Sequence, residues 1–314
     1  MTQEFLILEL KESLERSLGF ELCSLERLPG HTWSLNFKAV RAQDAFAFVV
    51  KLVPVSRSAL FRSRYARILR HLRDLGGTKS VSQLFPTADI SFREYSVCCI
   101  TWCAGIRCFP DQLSSEQLKT FLRDYLVFSG GMQRTTDIFP RRDGVALKKK
   151  VLDGLTGPFG RILRRRLELD MKDFAIVHRK ELIRVIHGDF HYGNFLFDGG
   201  ELSGIFDLEE FRYGYPAEDF VRYVTCAVEH LRWYEQWRVR KLMRRFSEMV
   251  RSLPFSVHEW TVAVNVHFLS KASRSVSRGC GFVGTLNLLV RYQLYRSLVE
   301  IAAKAAGETD VSEV

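Results

Sequence analysis

The feature that most constrains this 314-residue chain is one polar stretch, VIHGDFHYGNFLFDGGELSGIFDLEE at residues 185–210. The apolar residues at its two ends predict β-strands, and Gly199 and Gly200 predict a tight turn. A surface hairpin needs only that turn. The two histidines, the asparagine and the carboxylates that accompany it therefore indicate a chemical role.

The polar residues of this stretch have a specific spacing. His187, Asp189 and Asn194 follow one another as H-x-D-x-x-x-x-N. The catalytic loop of protein kinases has the same spacing, with a metal-binding Asp downstream, and Asp207 occupies that place. Roughly 0.005 such matches are expected by chance in a chain of this length. Phosphoryl transfer needs a carboxylate that orients the attacking hydroxyl, which suits Asp189, and oxygen ligands for Mg²⁺, which suit Asn194 and Asp207.

The segments HGDFHYGNFLF (187–197) and GIFDLEEFRYGYPAEDFVRY (204–223) resemble the aminoglycoside phosphotransferase and choline kinase superfamily. The resemblance implies an α+β, two-lobed protein-kinase-like fold with a small antiparallel-sheet N-lobe and a larger, mostly helical C-lobe. It implies an enzyme that uses ATP and Mg²⁺. Asp189 would be the catalytic residue, and three residues would support the site: His187, Glu209 and Asp219.

The rest of the chain fits two lobes. Residues 1–103 are predicted to form a nucleotide-binding N-lobe with an N-terminal helix, and residues 104–314 a helical C-lobe with the catalytic hairpin 185–210 and the acceptor site. Periodicity predicts helices at 3–18 and 58–75. Strand-like runs at 20–28, 34–41 and 45–53, joined by the turn-forming PGHTW and by QD, predict an antiparallel meander. Residues 92–102 predict one long strand or two short ones.

The resemblance also assigns a nucleotide site in the first lobe. Lys51, near the end of an apolar strand, would contact the α and β phosphates of ATP. The loop PGHTWS (29–34), with Gly30, would cover the phosphates, although a single glycine makes this a weak match. The backbone of Thr101 and Cys103 would bind the adenine.

One departure from the kinase pattern concerns the partner of this lysine. Kinases pair it with a helix Glu, which would lie near Tyr65, but no acidic residue occurs between Asp44 and Asp74. The alternatives are a direct pair of Lys51 with Asp207, a carboxylate from elsewhere, or a degenerate kinase that binds nucleotide without turnover.

The short segment from Asp207 to Asp219 lacks the long activation segment on which protein substrates dock. The acceptor is therefore expected to be a hydroxyl of a small molecule such as a sugar or another metabolite. A formal charge of +10 and the arginines at Arg274 and Arg278 favour an anionic acceptor.

Two alternatives stay open beside a soluble metabolite kinase. One is a kinase of a membrane glycolipid or lipopolysaccharide-type core sugar, with the basic helices in peripheral contact with an anionic membrane surface. The other is a pseudokinase that acts as a nucleotide-binding module. Nucleic acid is not expected as a partner, because no recognition motif accompanies the basic runs. The protein is expected to be cytoplasmic, and seven cysteines without a framework spacing agree with a reducing compartment. The oligomeric state is not predicted.

Overall fold

The computed structural model describes residues 3–28, 35–56, 90–131, 142–172, 176–177, 179, 182–207, 210–279 and 281–307. Four features predicted from the sequence lie outside these residues: the loop 29–34 with Gly30, the helix 58–75, Tyr65 and Glu209.

The described elements agree with the predicted α+β class. The strands are β1 (Leu22–Arg27), β2 (Leu35–Arg41), β3 (Ala47–Pro54), β4 (Ser91–Phe92), β5 (Tyr95–Thr101), β6 (Arg184–Ile186), β7 (Phe195–Asp198), β8 (Glu201–Ile205) and β9 (Arg212–Gly214). The helices are α1 (Gln3–Leu18), α2 (Ser115–Gly131), α3 (Gly144–Gly154), α4 (Gly157–Asp170), α5 (Ala217–His230), α6 (Trp237–Ser252), α7 (Val257–Ser277) and α8 (Phe282–Ala305).

The chain divides into two compact units, each with its own packing. The first comprises Met1–Ile106 and Leu196–Glu209, and the second comprises Arg107–Phe195 and Glu210–Val314. The hairpin strands β7 and β8 thus belong almost entirely to the first unit. The boundary near residue 103, and the assignment of nucleotide and acceptor to separate lobes, stay predictions.

The first unit contains an antiparallel five-stranded sheet in the order β1-β2-β3-β5-β4. The predicted meander is confirmed, and residues 92–102 form part of two strands, β4 and β5, joined by a turn in which Arg93 has a φ of 54°. Leu10 and Leu14 of α1 are fully buried against the sheet, because their four-residue spacing places them on one helical face.

The second unit is mostly helical, with the short antiparallel pair β6 and β9. At the start of α2, Ser114 and Gln117 form a capping box. The Gln117 N–H donates to Ser114 Oγ (3.1 Å), and the Ser114 N–H donates to Gln117 Oε1 (2.9 Å). These bonds satisfy backbone donors that the first helical turn leaves without a partner.

Residues 185–210 do not form one hairpin. The strand before the polar loop, β6, pairs with β9, whereas β7 and β8 pair with each other. Gly199 and Gly200 make the predicted turn, with φ of 56° and 91°. The polar loop is therefore fixed at both ends by strands that belong to different pairs.

Two arginines of α6, Arg238 and Arg245, form hydrogen bonds with neighbouring segments of the second unit. Arg238 donates to both carboxylate oxygens of Asp111, at 2.7 and 2.9 Å, and to Glu235 at 2.8 Å. Arg245 donates to the carbonyl oxygen of Leu113 at 2.6 Å. These arginines stabilise the packing of α6 and do not belong to a free basic surface.

No helix in the described part of the chain combines the length and the apolar character needed to cross a lipid bilayer.

Candidate active site

The polar loop is anchored through its backbone to a buried carboxylate. Asp219, in the first turn of α5, accepts hydrogen bonds from the backbone N–H of His187 (2.7 Å) and of Gly188 (2.9 Å). The hydroxyl of Tyr125 donates to the same carboxylate. Burial raises the pKa of Asp219, and these donors with the nearby positive charge of Arg212 oppose that rise. Asp219 thus holds the start of the loop in place.

The His187 side chain supports the loop from the core. Its ring is fully buried and packs against Phe195 and Phe211, with ring centroids 5.7 and 5.3 Å away. His187 Nδ1 accepts a hydrogen bond from the backbone N–H of Asp189 at 3.3 Å. This nitrogen therefore fixes the backbone of the residue that carries the predicted catalytic carboxylate.

Three side chains surround the carboxylate of Asp189. Asn194 Nδ2 donates to its carbonyl oxygen (2.8 Å) and to Oδ2 (3.2 Å). The guanidinium of Arg222, on α5, contacts Oδ1. His191 Nε2 lies 3.4 Å from Oδ2, while His191 Nδ1 accepts from the Gly193 N–H at 3.1 Å, which places the proton of a neutral ring on Nε2.

These neighbours keep Asp189 ionised. Burial alone would raise the pKa of Asp189, but the hydrogen bond with His191 and the positive charge of Arg222 hold that pKa well below its usual range. The side chain keeps 24% of its exposure, so an external group can still reach it. The arrangement presents a fixed, charged hydrogen-bond acceptor at neutral pH.

The predicted metal ligands have the right chemistry for Mg²⁺. Because Nδ2 of the buried Asn194 donates to Asp189, the amide oxygen is the ligand atom that remains, and it has no hydrogen-bond partner among the described residues. Asp207 offers a carboxylate with a side-chain exposure of 35%. The described residues include no cluster of three His, Cys, Asp or Glu side chains, and Mg²⁺ in proteins usually keeps several water ligands.

Lys51 lies on β3 and is 94% buried, since its exposure is 6%. Its Nζ lies 3.1 Å from Oδ1 of Asp207, within the first unit. Asp207 has a φ of 52°, a left-handed conformation that Asp tolerates better than most residues. The direct pair between these two residues, one of the alternatives that the sequence left open, is therefore present.

The segment predicted to bind adenine follows β5 and packs on the β7–β8 hairpin. Ile106 and Phe197 exchange two backbone hydrogen bonds of 2.9 Å, and the Ser203 hydroxyl donates to the carbonyl oxygen of Ala104 at 2.6 Å. Thr101 and Cys103 are partly exposed. Their predicted backbone contacts with adenine stay a prediction.

The sequence reading missed Arg222. It lies three residues after Asp219 on α5, and residues three apart share one face of a helix. Since Asp219 was expected to face the loop, that spacing could have placed Arg222 near Asp189. The role of His191, in contrast, depends on the tight turn at Tyr192–Asn194, which the sequence did not indicate.

The fold is shared with solved phosphotransferase structures of low sequence identity. Amicoumacin kinase hAmiN, in complex with AMP-PNP, Ca²⁺ and Ami, matches with a TM-score of 0.62, 12% identity and coverage of 96% of both chains. Aminoglycoside phosphotransferase APH(2'')-Ib, ADP-bound, matches with a TM-score of 0.59, 15% identity and coverage of 95% of this chain and 98% of the other.

A third similar structure is spectinomycin phosphotransferase APH(9)-Ia in complex with ADP and spectinomycin, with a TM-score of 0.57, 14% identity and coverage of 95% of this chain and 98% of the other. These likenesses establish the two-lobed kinase-like fold. No curated protein matches this chain. The family model described as the phosphotransferase enzyme family (APH) matches residues 24–247, which is more than half of the chain and includes the polar loop, Asp207 and Asp219. This chain therefore belongs to the phosphotransferase enzyme family.

Proposed function

We propose that this phosphotransferase transfers the γ-phosphoryl group of ATP to a hydroxyl of a sugar or another small metabolite. The observation that carries the proposal is the setting of Asp189, a partly exposed carboxylate kept ionised by Arg222 and His191. Such a group can orient an acceptor hydroxyl and accept its proton. The start of the loop that bears it is held by the carboxylate of Asp219.

The residues predicted to serve ATP and Mg²⁺ are proposed in the same roles. ATP supplies the phosphoryl group when bound, and Mg²⁺ neutralises its charge. Lys51 would steady the phosphates, and Asn194 and Asp207 would each give the metal an oxygen ligand. The loop with Gly30 would cover the phosphates, and the backbone of Thr101 and Cys103 would bind adenine. Glu209 and His187 would support the site.

Two facts favour a small acceptor over a protein. Only eleven residues lie between Asp207 and Asp219, so the chain lacks the segment on which protein kinases dock a peptide. The similar structures named for amicoumacin and spectinomycin are phosphotransferases of small molecules by their names. The excess of basic residues further favours an acceptor that carries an anionic group.

Thermal shift and turnover test this proposal together. ATP with Mg²⁺ should raise the melting temperature of the protein, and Asp207→Ala should remove the metal-dependent part of the rise. Asp189→Ala should lower phosphate transfer, measured with sugars, choline and glycolipid cores as acceptors, by about 10²- to 10⁴-fold with nucleotide binding nearly intact. The matched control is Asp198→Ala, which removes an exposed carboxylate of β7.

The opposite results would be equally informative. A turnover rate unaffected by Asp189→Ala would refute the catalytic assignment. Nucleotide binding without turnover would favour a pseudokinase that serves as a nucleotide-binding module, and the absence of any nucleotide shift would contradict both readings.

A second candidate function is a kinase of a membrane glycolipid or lipopolysaccharide-type core sugar. One surface favours it. The helices α4 and α8 contact each other through Phe159 and Phe282, whose ring centroids are 4.9 Å apart. Both helices expose apolar side chains, and α4 also exposes arginines. We call this surface the apolar–basic face; its members are Arg161, Ile162, Arg165, Leu169, Phe282, Val283 and Val290. Such a mixture suits the surface of an anionic bilayer.

A further inference from the structure

Several arginines of the second unit have buried guanidinium nitrogens for which the described residues supply no acceptor. Arg142, which precedes α3, is the clearest case. Its Nη1 is buried and has no acceptor among the described residues. Burial and the charges of Arg212, Arg222 and Arg274 lower the pKa of Arg142, to about 9, against the opposing charge of Glu218. A guanidinium with a pKa of about 9 remains charged at neutral pH.

The guanidinium of Arg222 also has a buried nitrogen to which the described part of the chain offers no acceptor. One of its terminal nitrogens contacts Asp189, but its Nε is buried without an acceptor in the described structure. Arg274, in the last turn of α7, is exposed and lies within electrostatic range of both Arg222 and Asp189. The three arginines come from three different segments, so the tertiary fold and not a local charge run brings them together.

The neighbouring carboxylates already have partners. Glu218 pairs with Arg212 at 2.9 Å, Asp219 accepts the loop backbone, and Glu229 contacts Lys271. Asp189 is contacted by Arg222, and both Asp189 and the exposed Glu210 lie within electrostatic range of Arg274. The carboxylate within electrostatic range of Arg142 is Glu218, which Arg212 already engages. Buried charges without partners cost several kcal/mol or more, and a bound anion would offset part of that cost.

We propose that Arg142, Arg222 and Arg274 form an anion-binding site beside Asp189 that binds a phosphate group already present on the acceptor. Three guanidinium charges against the carboxylates of Asp189 and the exposed Glu210 leave a net positive charge, which attracts the dianion of a phosphate monoester near pH 7. Guanidinium groups also present the paired N–H donors that phosphate oxygens accept. The proposal rests on the proposed function and narrows its acceptor to a phosphorylated sugar or metabolite.

The site would also position the acceptor. Because Arg222 contacts Asp189, a phosphate held by the guanidinium of Arg222 would lie close to the carboxylate of Asp189. A hydroxyl elsewhere on the same molecule could then reach Asp189 while the phosphate stays fixed. Arg222 would therefore hold both the catalytic group and the acceptor.

Anion binding without nucleotide tests the proposal. Inorganic phosphate and glucose 6-phosphate should raise the melting temperature of the wild-type protein, and glucose should not. Arg142→Gln and Arg274→Gln should each weaken phosphate binding, measured by calorimetry, by about tenfold or more. Arg244→Gln, which removes an exposed charge of α6, should leave it unchanged. Equal phosphate binding in all four proteins, or none in any, would overturn the inference.

Two further arms separate the possible explanations. Lys51→Met should not affect phosphate binding if the phosphate binds at the arginines. If the phosphate instead binds at the nucleotide site, its binding would depend on Lys51 and not on Arg142. Arg142→Met should raise the melting temperature in the absence of anions, since it removes a buried charge that lacks a partner. If this stable variant no longer gains stability from phosphate, misfolding cannot be the cause. Tighter capture of vesicles with phosphatidic acid than of glucose 6-phosphate would identify a lipid-borne phosphate.

The same experiments test the proposed kinase activity independently of the anion-binding site. If Mg²⁺-dependent ATP binding or turnover fails while phosphate binding still requires Arg142 and Arg274, the anion site stands and the kinase reading falls. If turnover depends on Asp189 but phosphate binding does not change when Arg142 or Arg274 is replaced, the kinase activity is supported. The proposal of a phosphorylated acceptor is then refuted.

Discussion

At the scale of single residues, Asp189 depends on neighbours that come from far along the chain. Arg222 contacts one carboxylate oxygen and the other lies near His191 and Asn194. The resulting low pKa makes Asp189 a weak base that stays ionised and can accept a hydrogen bond. In the proposed catalytic role, its main contribution would be to position the acceptor hydroxyl and not to act as a strong base.

Arg222→Met should change the pH dependence of the reaction. Removing this positive charge raises the pKa of Asp189, so protonation inactivates the enzyme at a higher pH than in the wild type. The acid limb of kcat/KM, measured with the acceptor that the transfer assay identifies, should move upward by about one pH unit or more. Arg222→Lys keeps the charge and should restore most of the wild-type limb. An unmoved limb in Arg222→Met would show that Arg222 does not set the protonation of Asp189.

The order of Asp189, Asn194 and Asp207 was readable from the sequence, because a tight loop brings residues five apart together. Arg222 was not read, since its contact with Asp189 spans 33 residues and forms only when α5 docks on the loop. The pair of Lys51 with Asp207 spans 156 residues and was one of several alternatives. Local geometry was thus predictable, and the partners that fix the charge state were not.

At the scale of elements, the polar loop is held by its backbone as much as by its side chains. The residue that makes this possible is Gly188, whose φ is 78° and whose added Cβ would lie 2.2 Å from the carbonyl oxygen of Glu210. No other residue type fits there, because both the left-handed backbone and the close approach exclude a side chain.

Gly188→Ala should therefore destabilise the protein and reduce its activity. The matched control is Gly199→Ala: Gly199 has a φ of 56° but nothing within 4 Å of an added Cβ. Backbone strain alone should cost Gly199→Ala about 1–2 kcal/mol in the free energy of unfolding, and the clash should make Gly188→Ala clearly worse. Denaturant titration measures both values. An equal loss in the two variants would mean that the loop can move away from Glu210.

The strand meander of the first unit was predictable because its apolar runs are separated by recognisable turns, although β3 and β5 are buried along their centres and do not alternate. The pairing of β6 with β9 was not, because residues 184–186 and 212–214 meet across an intervening hairpin. A pattern of period two identifies a strand but does not choose its partner. The split of residues 185–210 between two strand pairs is the consequence.

At the scale of the whole molecule, the basic residues that give the net charge of +10 have at least two roles. Arg238 and Arg245 form hydrogen bonds inside the second unit. The arginines of the proposed anion-binding site suit an anionic acceptor. Arg161 and Arg165 remain exposed on α4 beside apolar side chains. The apolar–basic face is thus the surface on which the membrane hypothesis depends.

If that hypothesis is correct, vesicles that contain phosphatidylserine should bind the protein, and high salt should release it, because screening weakens the attraction of the arginines. Replacing both Phe282 and Val283 by Gln should lower binding by at least about tenfold, since two apolar side chains lose their burial in the lipid interface. Co-sedimentation measures both effects. Val283 has an exposure of 68% and Val127, on α2, of 72%. Val127→Gln is therefore the control that should bind as the wild type does. Salt-insensitive binding, or the same loss with Val127→Gln, would refute a specific membrane face and leave the soluble metabolite kinase.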